Sequence, residues 1–207
     1  MSIWLIRHGE TALNAARVLQ PADTPLSPHG LRQAEALAER IKNERADFAA
    51  VILSSDLPRA AQTAQAIAQR TGHNIEFTAL LHERNFGDWR GQPYDSLSID
   101  PLGMDAAPPG GETAAQFARR CERAFERILQ MRRKLEAPLI VVTHGLVIRQ
   151  MLSALPASAL GEGELPRMGN ASVTVFDASA PHAVHVLNCV AHLTDGLREG
   201  AESLSGG

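Results

Sequence analysis

The chain alternates short apolar runs, typical of buried β-strands, with longer stretches of helical periodicity. Strand-like runs occupy residues 2–7, 48–55, 75–78 and 138–145. Strands that alternate with helices form parallel sheets covered on both faces. Two later apolar runs, at 171–177 and 182–189, are joined by so short a turn that they are expected to pair antiparallel at an edge. The pattern predicts an α/β fold with a mostly parallel sheet and an antiparallel edge strand.

The helical stretches carry start and stop signals. Ser27 is placed to cap a helix that begins at Pro28, and Asp56 is placed to cap a second helix that Gly72 ends. The first of these helices is expected to bury one face, formed by Leu31, Ala34, Leu37, Ala38 and Ile41. A longer helix is predicted over residues 112–135, where apolar residues keep helical spacing.

Composition bounds the class of protein and its partners. The chain has 207 residues, of which 44% are hydrophobic and 21% charged, and a formal net charge of -3. These values suit one globular domain, predicted over residues 1–197, with 198–207 as a disordered tail that has nothing to bury. A slightly acidic chain favours neither nucleic acid nor an anionic membrane as partner. Two cysteines form no disulfide framework, and the N-terminal apolar run is too short for a signal peptide or membrane span, so a cytoplasmic setting is expected.

Three of the predicted strands end in polar residues that a structural turn does not need. These residues are Arg7, His8 and Gly9 after the first strand, Ser54, Ser55 and Arg59 after the second, and Thr143, His144 and Gly145 after the fourth. Ligands of open α/β sheets bind at the carboxyl ends of the strands. We therefore expect two histidines and two arginines to meet in one crevice, with Gly9 leaving room for a ligand.

Two imidazoles and two guanidiniums at one sheet edge suit phosphoryl transfer. Arginine forks match phosphate oxygens and stay charged at any working pH. A neutral His8 can attack through one ring nitrogen while a backbone acceptor fixes the other, and nearby arginine charge disfavours its protonation. Arg7, Arg59 and a protonated His144 can then neutralise the equatorial oxygens without a metal.

The reaction also needs a general acid for the leaving oxygen. The best candidate is Glu83, which lies in an irregular segment with two aromatic residues. Partial burial there is expected to raise the pKa of its carboxyl group toward neutrality. Glu10 and Asp88 are the rival candidates. His82, next to Glu83, is interpreted as structural.

Taken together, these residues resemble the histidine phosphatase superfamily, the phosphoglycerate-mutase-like group. Its specific signature is LIRHGET at residues 5–11, followed by Asn14. Further blocks match in order at 23–34, 53–64, 83–91, 109–113 and 141–145. The likeness covers nearly all of residues 3–150, and the segment 188–193 resembles the closing strand of the family.

By position, the resemblance implies that His8 is phosphorylated in a covalent intermediate and that Glu83 is the proton donor that later activates water. It implies that four residues hold the phosphoryl group: Arg7, Asn14, Arg59 and His144. A three-layer α/β/α sandwich follows from it too, with neither metal nor cofactor. The expected function is a metal-independent phosphomonoester hydrolase acting on a small phosphorylated molecule, its oligomeric state left open and a homodimer among the options.

Three other functions stay open. A phosphoglycerate-mutase-type phosphotransferase needs extra cations to hold a substrate carboxylate, and residues 84–111 carry only Arg84 and Arg90 against four aspartates. A metallohydrolase built on the two histidines lacks a carboxylate-rich ligand set. A phosphate-binding module without turnover needs no acid. Gln20 stands where members of the family often have glycine, so the pocket rim and the leaving group are not predicted.

Overall fold

The computed structural model describes residues 2–44, 51–97, 103–160 and 164–198. Its strands are β1 Ser2–Arg7, β2 Val51–Ser54, β3 Asn74–Phe77, β4 Leu139–Thr143, β5 Val173–Asp177 and β6 Val184–Cys189. They form one sheet in the order β3-β2-β4-β1-β5-β6. Strands β1 to β4 are parallel, whereas β5 is antiparallel to β1 and β6 is antiparallel to β5. The predicted α/β fold with an antiparallel edge strand is confirmed.

The helices cover both faces of this sheet. The described part of the chain contains α1 Ala12–Ala15, α2 Pro28–Glu44, α3 Pro58–Thr71, α4 Ala114–Arg133, α5 Gly145–Ser153, α6 Ala157–Leu160 and α7 Asp195–Arg198. Three short 3-10 turns lie between β3 and α4, at Ala79–Leu81, Gly87–Trp89 and Tyr94–Ser96. The irregular segment predicted between the third strand and the long helix is therefore confirmed for residues 79–97 and 103–111.

Residues that alternate along β1 enter two separate hydrophobic cores. Ile3 and Leu5 belong to the core formed with α4 and α5. Trp4 and Ile6 belong to the core formed with α2 and α3. Because side chains of a strand point alternately to the two faces of the sheet, both faces are buried, as the continuous apolar runs predict. The three-layer α/β/α arrangement is confirmed.

The predicted helix ends are right in two cases and wrong in one. The Ser27 hydroxyl accepts a hydrogen bond from the N–H three residues on at 2.9 Å, as a cap of α2 does. Gly72 ends α3 in the left-handed region, with φ 74°. Asp56 does not cap α3, because Leu57 occupies the cap position and the Asp56 carboxylate instead contacts His82 Nε2 at 2.6 Å.

Two further predictions need correction. Leu31 was expected in the buried stripe of α2, yet 44% of it is exposed. At about 100° per residue it lies about 70° around the helix from the mean direction of the other four, at the edge of the stripe, where it lines the open groove beside α3. The predicted helix over 112–135 is α4, which begins two residues later because Thr113 and Gln116 form a capping box.

The end of the described chain packs on α2. The Gln33 side-chain amide donates to the carbonyl oxygen of Leu197 in α7 at 2.9 Å. The predicted tail, 198–207, lies outside the described residues except for Arg198, the last residue of α7. Within the residues that the structure describes, no helix is both long and apolar enough to cross a membrane.

Candidate active site

The neighbouring strands β1 and β4 bring the two predicted histidines side by side. Arg7 of β1 is in register with Thr143 of β4, so His8 and His144 leave the sheet at the same edge. Their ring centroids are 5.1 Å apart and the rings are inclined at 61°. Both side chains are fully buried. The predicted meeting of the strand ends is confirmed.

The His8 ring is held in one tautomer by its own loop. Nδ1 donates to the carbonyl oxygen of Gly9 at 2.7 Å. This leaves the lone pair on Nε2, which has no hydrogen-bond partner among the described residues. Burial, and then the positive charges of Arg59 and Arg7, lower the pKa of His8 well below its ordinary value. The imidazole is therefore neutral, with a nucleophilic nitrogen, at neutral pH.

The main chain of His8 is fixed from two sides. Its N–H donates to the carbonyl oxygen of Thr143 at 3.0 Å, and its carbonyl oxygen accepts from the N–H of Ala171 at 3.1 Å. The Asn170 side-chain amide donates to the same oxygen at 3.2 Å and to Asn14 Oδ1 at 3.2 Å. Sequence reasoning missed Asn170, whose only signal is a polar Gly-Asn-Ala-Ser run directly before the buried strand β5.

Asn14 lies on α1 and forms a reciprocal cap with Thr11. Thr11 Oγ1 accepts from the N–H of Asn14 at 3.0 Å, and Asn14 Oδ1 accepts from the N–H of Thr11 at 3.1 Å. The oxygen of the Asn14 side chain is thus used within the protein. Its buried Nδ2 has no partner among the described residues and is available as a donor to an anion.

Gly9 is required for a reason other than the predicted one. A Cβ at this position would lie 2.5 Å from the carbonyl oxygen of Gly30 in the first turn of α2. The N–H of Gly9 donates to Thr63 Oγ1 on α3 at 3.1 Å. Close approach of two backbones, rather than room for a ligand, therefore excludes a side chain. Thr63, also missed from sequence, fastens the loop to the helix that carries Arg59.

Two buried guanidiniums flank the histidines. Arg7 ends β1 and donates through Nη1 to the carbonyl oxygen of Met168, and Arg59 in the first turn of α3 donates through Nη1 to that of Pro21 at 3.3 Å. Burial lowers the pKa of each guanidinium to about 10, although the carboxyl group of Glu83 opposes the shift. Both remain positive at neutral pH. Two buried cations favour an anionic ligand.

His144 is a hydrogen-bond donor rather than a cation. Its Nε2 lies 2.9 Å from Ser55 Oγ. That oxygen also accepts from the N–H of Leu57 at 3.3 Å. With the Ser55 hydroxyl donating to Nε2, the imidazole proton lies on Nδ1, which has no partner among the described residues. Burial, followed by the charge of Arg59, lowers the pKa of His144 well below its ordinary value. The expectation that His144 is protonated is therefore wrong, although Nδ1–H is still a donor.

Glu83 is buried near the arginines, with 4% of it exposed. Its Oε1 accepts from the N–H of Arg84 at 3.0 Å and its Oε2 from the N–H of Leu146 at 3.2 Å. Burial raises the pKa of the carboxyl group, and this exceeds the lowering by the two N–H donors and by Arg59 and Arg7. A carboxyl group with a raised pKa can deliver a proton near neutrality.

The rival acids are placed differently. Glu10 Oε1 accepts from the Ser27 hydroxyl at 2.8 Å, which commits it to the start of α2. Asp88 is exposed to solvent in a 3-10 turn. His82 contacts Asp56, in line with a structural role. Of the predicted acid candidates, Glu83 alone is buried with its charge acting on both Arg7 and Arg59.

The loop that carries Glu83 is held by a half-buried ion pair that sequence reasoning missed. Arg120 of α4 donates to three main-chain oxygens of this loop, those of Leu80, His82 and Glu83. Both oxygens of Glu112 accept from Arg120, at 2.8 and 2.7 Å, and Glu112 also accepts from the N–H of Asn85 at 2.9 Å. The pair therefore fixes the position of the acid without contacting its carboxyl group.

The model of the histidine phosphatase superfamily (branch 1) matches residues 3–189, nearly the whole chain. The chain belongs to the histidine phosphatase superfamily. The resemblance stated from the motifs is confirmed, and so is the prediction of an enzyme of the histidine phosphatase type.

Several members of the superfamily are similar to this chain in sequence or in structure. The probable phosphoglycerate mutase GpmB of Yersinia pestis (strain Pestoides F) is 33% identical over 187 residues, which cover 86% of this chain and 85% of that protein. A mycobacterial glucosyl-3-phosphoglycerate phosphatase in complex with VO3 has a TM-score of 0.74 and 28% identity, covering 91% of this chain and 99% of its own. The alpha-ribazole phosphatase of Shigella flexneri has a TM-score of 0.76 and 26% identity, covering 92% and 97%.

Proposed function

We propose that this histidine phosphatase hydrolyses phosphomonoesters through a phosphohistidine on His8, with Glu83 as proton donor. One observation carries the proposal: the unpartnered Nε2 of His8 shares a buried site with two guanidiniums and a carboxyl group of raised pKa. A nucleophile, charge for the phosphoryl oxygens and an acid are the parts that such a transfer requires.

The reaction has two steps. In the first, His8 Nε2 attacks phosphorus, the bond from phosphorus to the leaving oxygen breaks, and the Glu83 proton passes to that oxygen. In the second, Glu83, now a carboxylate, takes a proton from water as the water oxygen attacks phosphorus. The bond to Nε2 then breaks, inorganic phosphate leaves, and both residues return to their starting states.

Four side chains are proposed to hold the phosphoryl group. Arg7 and Arg59 supply positive charge, and His144 Nδ1–H and Asn14 Nδ2 supply neutral donors. Charge on the equatorial oxygens is thereby balanced from inside the protein, where low dielectric strengthens each contact. The ligand is a small phosphorylated molecule, in keeping with the names of the similar phosphatases.

The phosphotransferase alternative is supported less well. A mutase must grip a second anionic group, and Arg84 does not supply a free cation because Nη2 donates to the carbonyl oxygen of Met104 at 2.7 Å. Arg90 is left as the one arginine of residues 84–111 available for such a role. A pure phosphate-binding module is not favoured either, since it has no use for a buried acid such as Glu83.

The test compares wild type with His8→Ala on a panel of phosphomonoesters and measures release of inorganic phosphate. His185→Ala is a matched control, because His185 is an exposed histidine paired with Asp177 on the sheet edge. We expect wild type and His185→Ala to hydrolyse the esters and to carry a protein-bound phosphate that is stable to alkali and labile to acid. His8→Ala should show neither property. Unchanged turnover in His8→Ala would exclude the covalent mechanism. Activity abolished by EDTA and restored by zinc would establish the metallohydrolase instead.

A further inference from the structure

A short segment that precedes β5 contacts both Arg7 and His8. We call this segment, residues 165–170, the brace; it lies outside helix and strand. The carbonyl oxygen of Met168 accepts from Arg7 Nη1, and the Asn170 side-chain amide donates to the carbonyl oxygen of His8 at 3.2 Å. A proposed phosphate ligand and the main chain of the proposed nucleophile therefore both rest on the brace.

Side chains from two neighbouring elements hold the brace in place. Arg149 of α5 donates through Nη1 to the carbonyl oxygens of Leu165 and Pro166, at 2.7 and 3.0 Å. Asn188 of β6 donates through Nδ2 to the carbonyl oxygen of Arg167 at 2.9 Å. Main-chain groups outside regular structure need such partners. The loss of one of these side chains thus leaves a carbonyl oxygen of the brace without its donor.

Asn188 also holds the peptide group that contacts Arg7. Its Oδ1 accepts from the N–H of Gly169 at 2.7 Å. That N–H belongs to the same planar peptide group as the carbonyl oxygen of Met168, which accepts from Arg7 Nη1. One rigid peptide group is therefore bound by Asn188 at its N–H and by Arg7 at its oxygen. Since an N–H only donates and a carbonyl only accepts, the two partners fix the orientation of the Asn188 amide.

A β-bulge directs Asn188 toward the brace. Val173 pairs with Cys189 and Val175 pairs with Val186, so β6 advances by three residues where β5 advances by two. Asn188 lies in this extra length, with φ 51°. Asparagine tolerates this left-handed region better than most residues other than glycine. Bulges next to active sites commonly change the direction in which a side chain points.

We propose that Asn188 is a positioning residue for phosphoryl transfer, which acts by holding the peptide group that fixes the guanidinium of Arg7. The inference rests on the proposed function, in which Arg7 binds the phosphoryl group. A long arginine side chain has many rotamers, and a fixed acceptor keeps its guanidinium in place before the ligand arrives. Because Arg7 acts on the phosphoryl group, which all phosphomonoesters share, the effect of Asn188 should not depend on the leaving group.

The principal variant is Asn188→Gly, which removes both side-chain hydrogen bonds and suits the positive φ of this position. We expect the dissociation constant for inorganic phosphate, measured by calorimetry, to rise by about tenfold, the size of one hydrogen bond to a charged group. kcat/KM should fall by about the same factor on p-nitrophenyl phosphate and on glycerol 3-phosphate. The control Asn74→Gly makes the same change at an exposed asparagine of the edge strand β3 and should leave these values as in wild type.

Asn188→Asp gives a readout that a merely structural role would not move. It keeps an oxygen for the N–H of Gly169 and places its other oxygen against the carbonyl oxygen of Arg167. That oxygen donates only when the carboxyl group is protonated, and the facing carbonyl favours protonation. Relative to wild type, kcat/KM of Asn188→Asp should therefore rise as the pH is lowered from about 7 to about 5, whereas that of Asn188→Gly should stay constant.

Melting temperatures of all variants show which are folded during these measurements. Unchanged phosphate affinity in folded Asn188→Gly would overturn the positioning role and leave Asn188 as a purely structural contact. A loss much larger on glycerol 3-phosphate than on p-nitrophenyl phosphate would overturn it too, because dependence on the leaving group belongs to the acid, Glu83.

The calorimetric comparison requires no turnover, so it is independent of the covalent mechanism. If wild type formed no phosphohistidine, the proposed hydrolysis would be overturned, yet weaker phosphate binding in Asn188→Gly would still support the link from Asn188 to Arg7. A wild type that neither bound phosphate nor hydrolysed either ester would overturn both proposals.

Discussion

His144 Nε2 and Ser55 Oγ are 2.9 Å apart at the ends of two adjacent parallel strands, β4 and β2. We infer that the serine hydroxyl donates to Nε2, so that the imidazole proton lies on Nδ1. The serine oxygen itself accepts from the N–H of Leu57. A residue outside the four proposed phosphate ligands thereby orients one of them.

Ser55→Ala should therefore impair catalysis without unfolding the protein. We expect kcat/KM for phosphomonoester hydrolysis to fall by about tenfold, the size of one well-placed hydrogen bond, because His144 loses its fixed tautomer. Ser55→Thr, which keeps the hydroxyl, should recover most of the rate. Ser153→Ala, an exposed serine on α5, serves as the control. If Ser55→Ala were as active as wild type, Ser55 would have no part in orienting His144.

Glu83→Gln should affect poor leaving groups much more than good ones. Without the acid, an alkyl phosphate must expel an alkoxide, so kcat should fall by about 10²- to 10⁴-fold. p-Nitrophenyl phosphate needs little protonation and should lose far less. The measurement is the steady-state rate on both esters for wild type, for Glu83→Gln and for the control Glu10→Gln. Equal losses on both esters would argue against Glu83 as the proton donor.

The raised pKa of Glu83 also predicts a pH-dependent stability difference. A carboxyl group whose pKa is higher when folded stabilises the fold fully below its unfolded pKa, about 4.3, and this contribution is lost as pH rises through the folded value. Glu83→Gln does not titrate. Its melting temperature minus that of wild type should therefore increase from pH 4 toward pH 7. A difference that is constant with pH would contradict the assigned shift.

Arg120→Met should loosen the acid loop at a distance from the chemistry. It removes the donors to the carbonyl oxygens of Leu80, His82 and Glu83 and leaves the half-buried Glu112 without its cation, so the free energy of unfolding should fall. We expect a lower melting temperature and, at a temperature where the variant is folded, a kcat loss larger on alkyl esters than on p-nitrophenyl phosphate. The double variant Arg120→Met, Glu112→Gln should regain part of the stability. A uniform loss on all esters would indicate general destabilisation only.

The sequence was informative wherever local pattern dictates structure. Parallel strands end at one edge, so Arg7, His8 and His144 could be placed together from the apolar runs alone. The long-range contacts could not be predicted in this way. Asn170 contacts His8 across 162 positions of the chain, and its polarity alone does not identify its partner.

Burial also set limits on what could be predicted. The charge state of His144 depends on how completely the surrounding chain excludes water, a tertiary property that made the expected imidazolium wrong. The Leu31 error has a similar origin, because helical spacing identifies a stripe but does not say where the neighbouring helix stops covering it. The cap at Asp56 failed because another residue, His82, competes for the same carboxylate.

The contact between Gly9 and Gly30 sets the mechanical character of the site. A Cβ on either glycine would meet main-chain atoms of the opposite loop, and main-chain atoms have no rotamers with which to yield. The start of α2 and the loop of His8 therefore behave as one rigid unit. Contacts between main-chain atoms, rather than between side chains, set the distance between them. Any rearrangement that separates these two loops must therefore displace whole main-chain segments rather than single side chains.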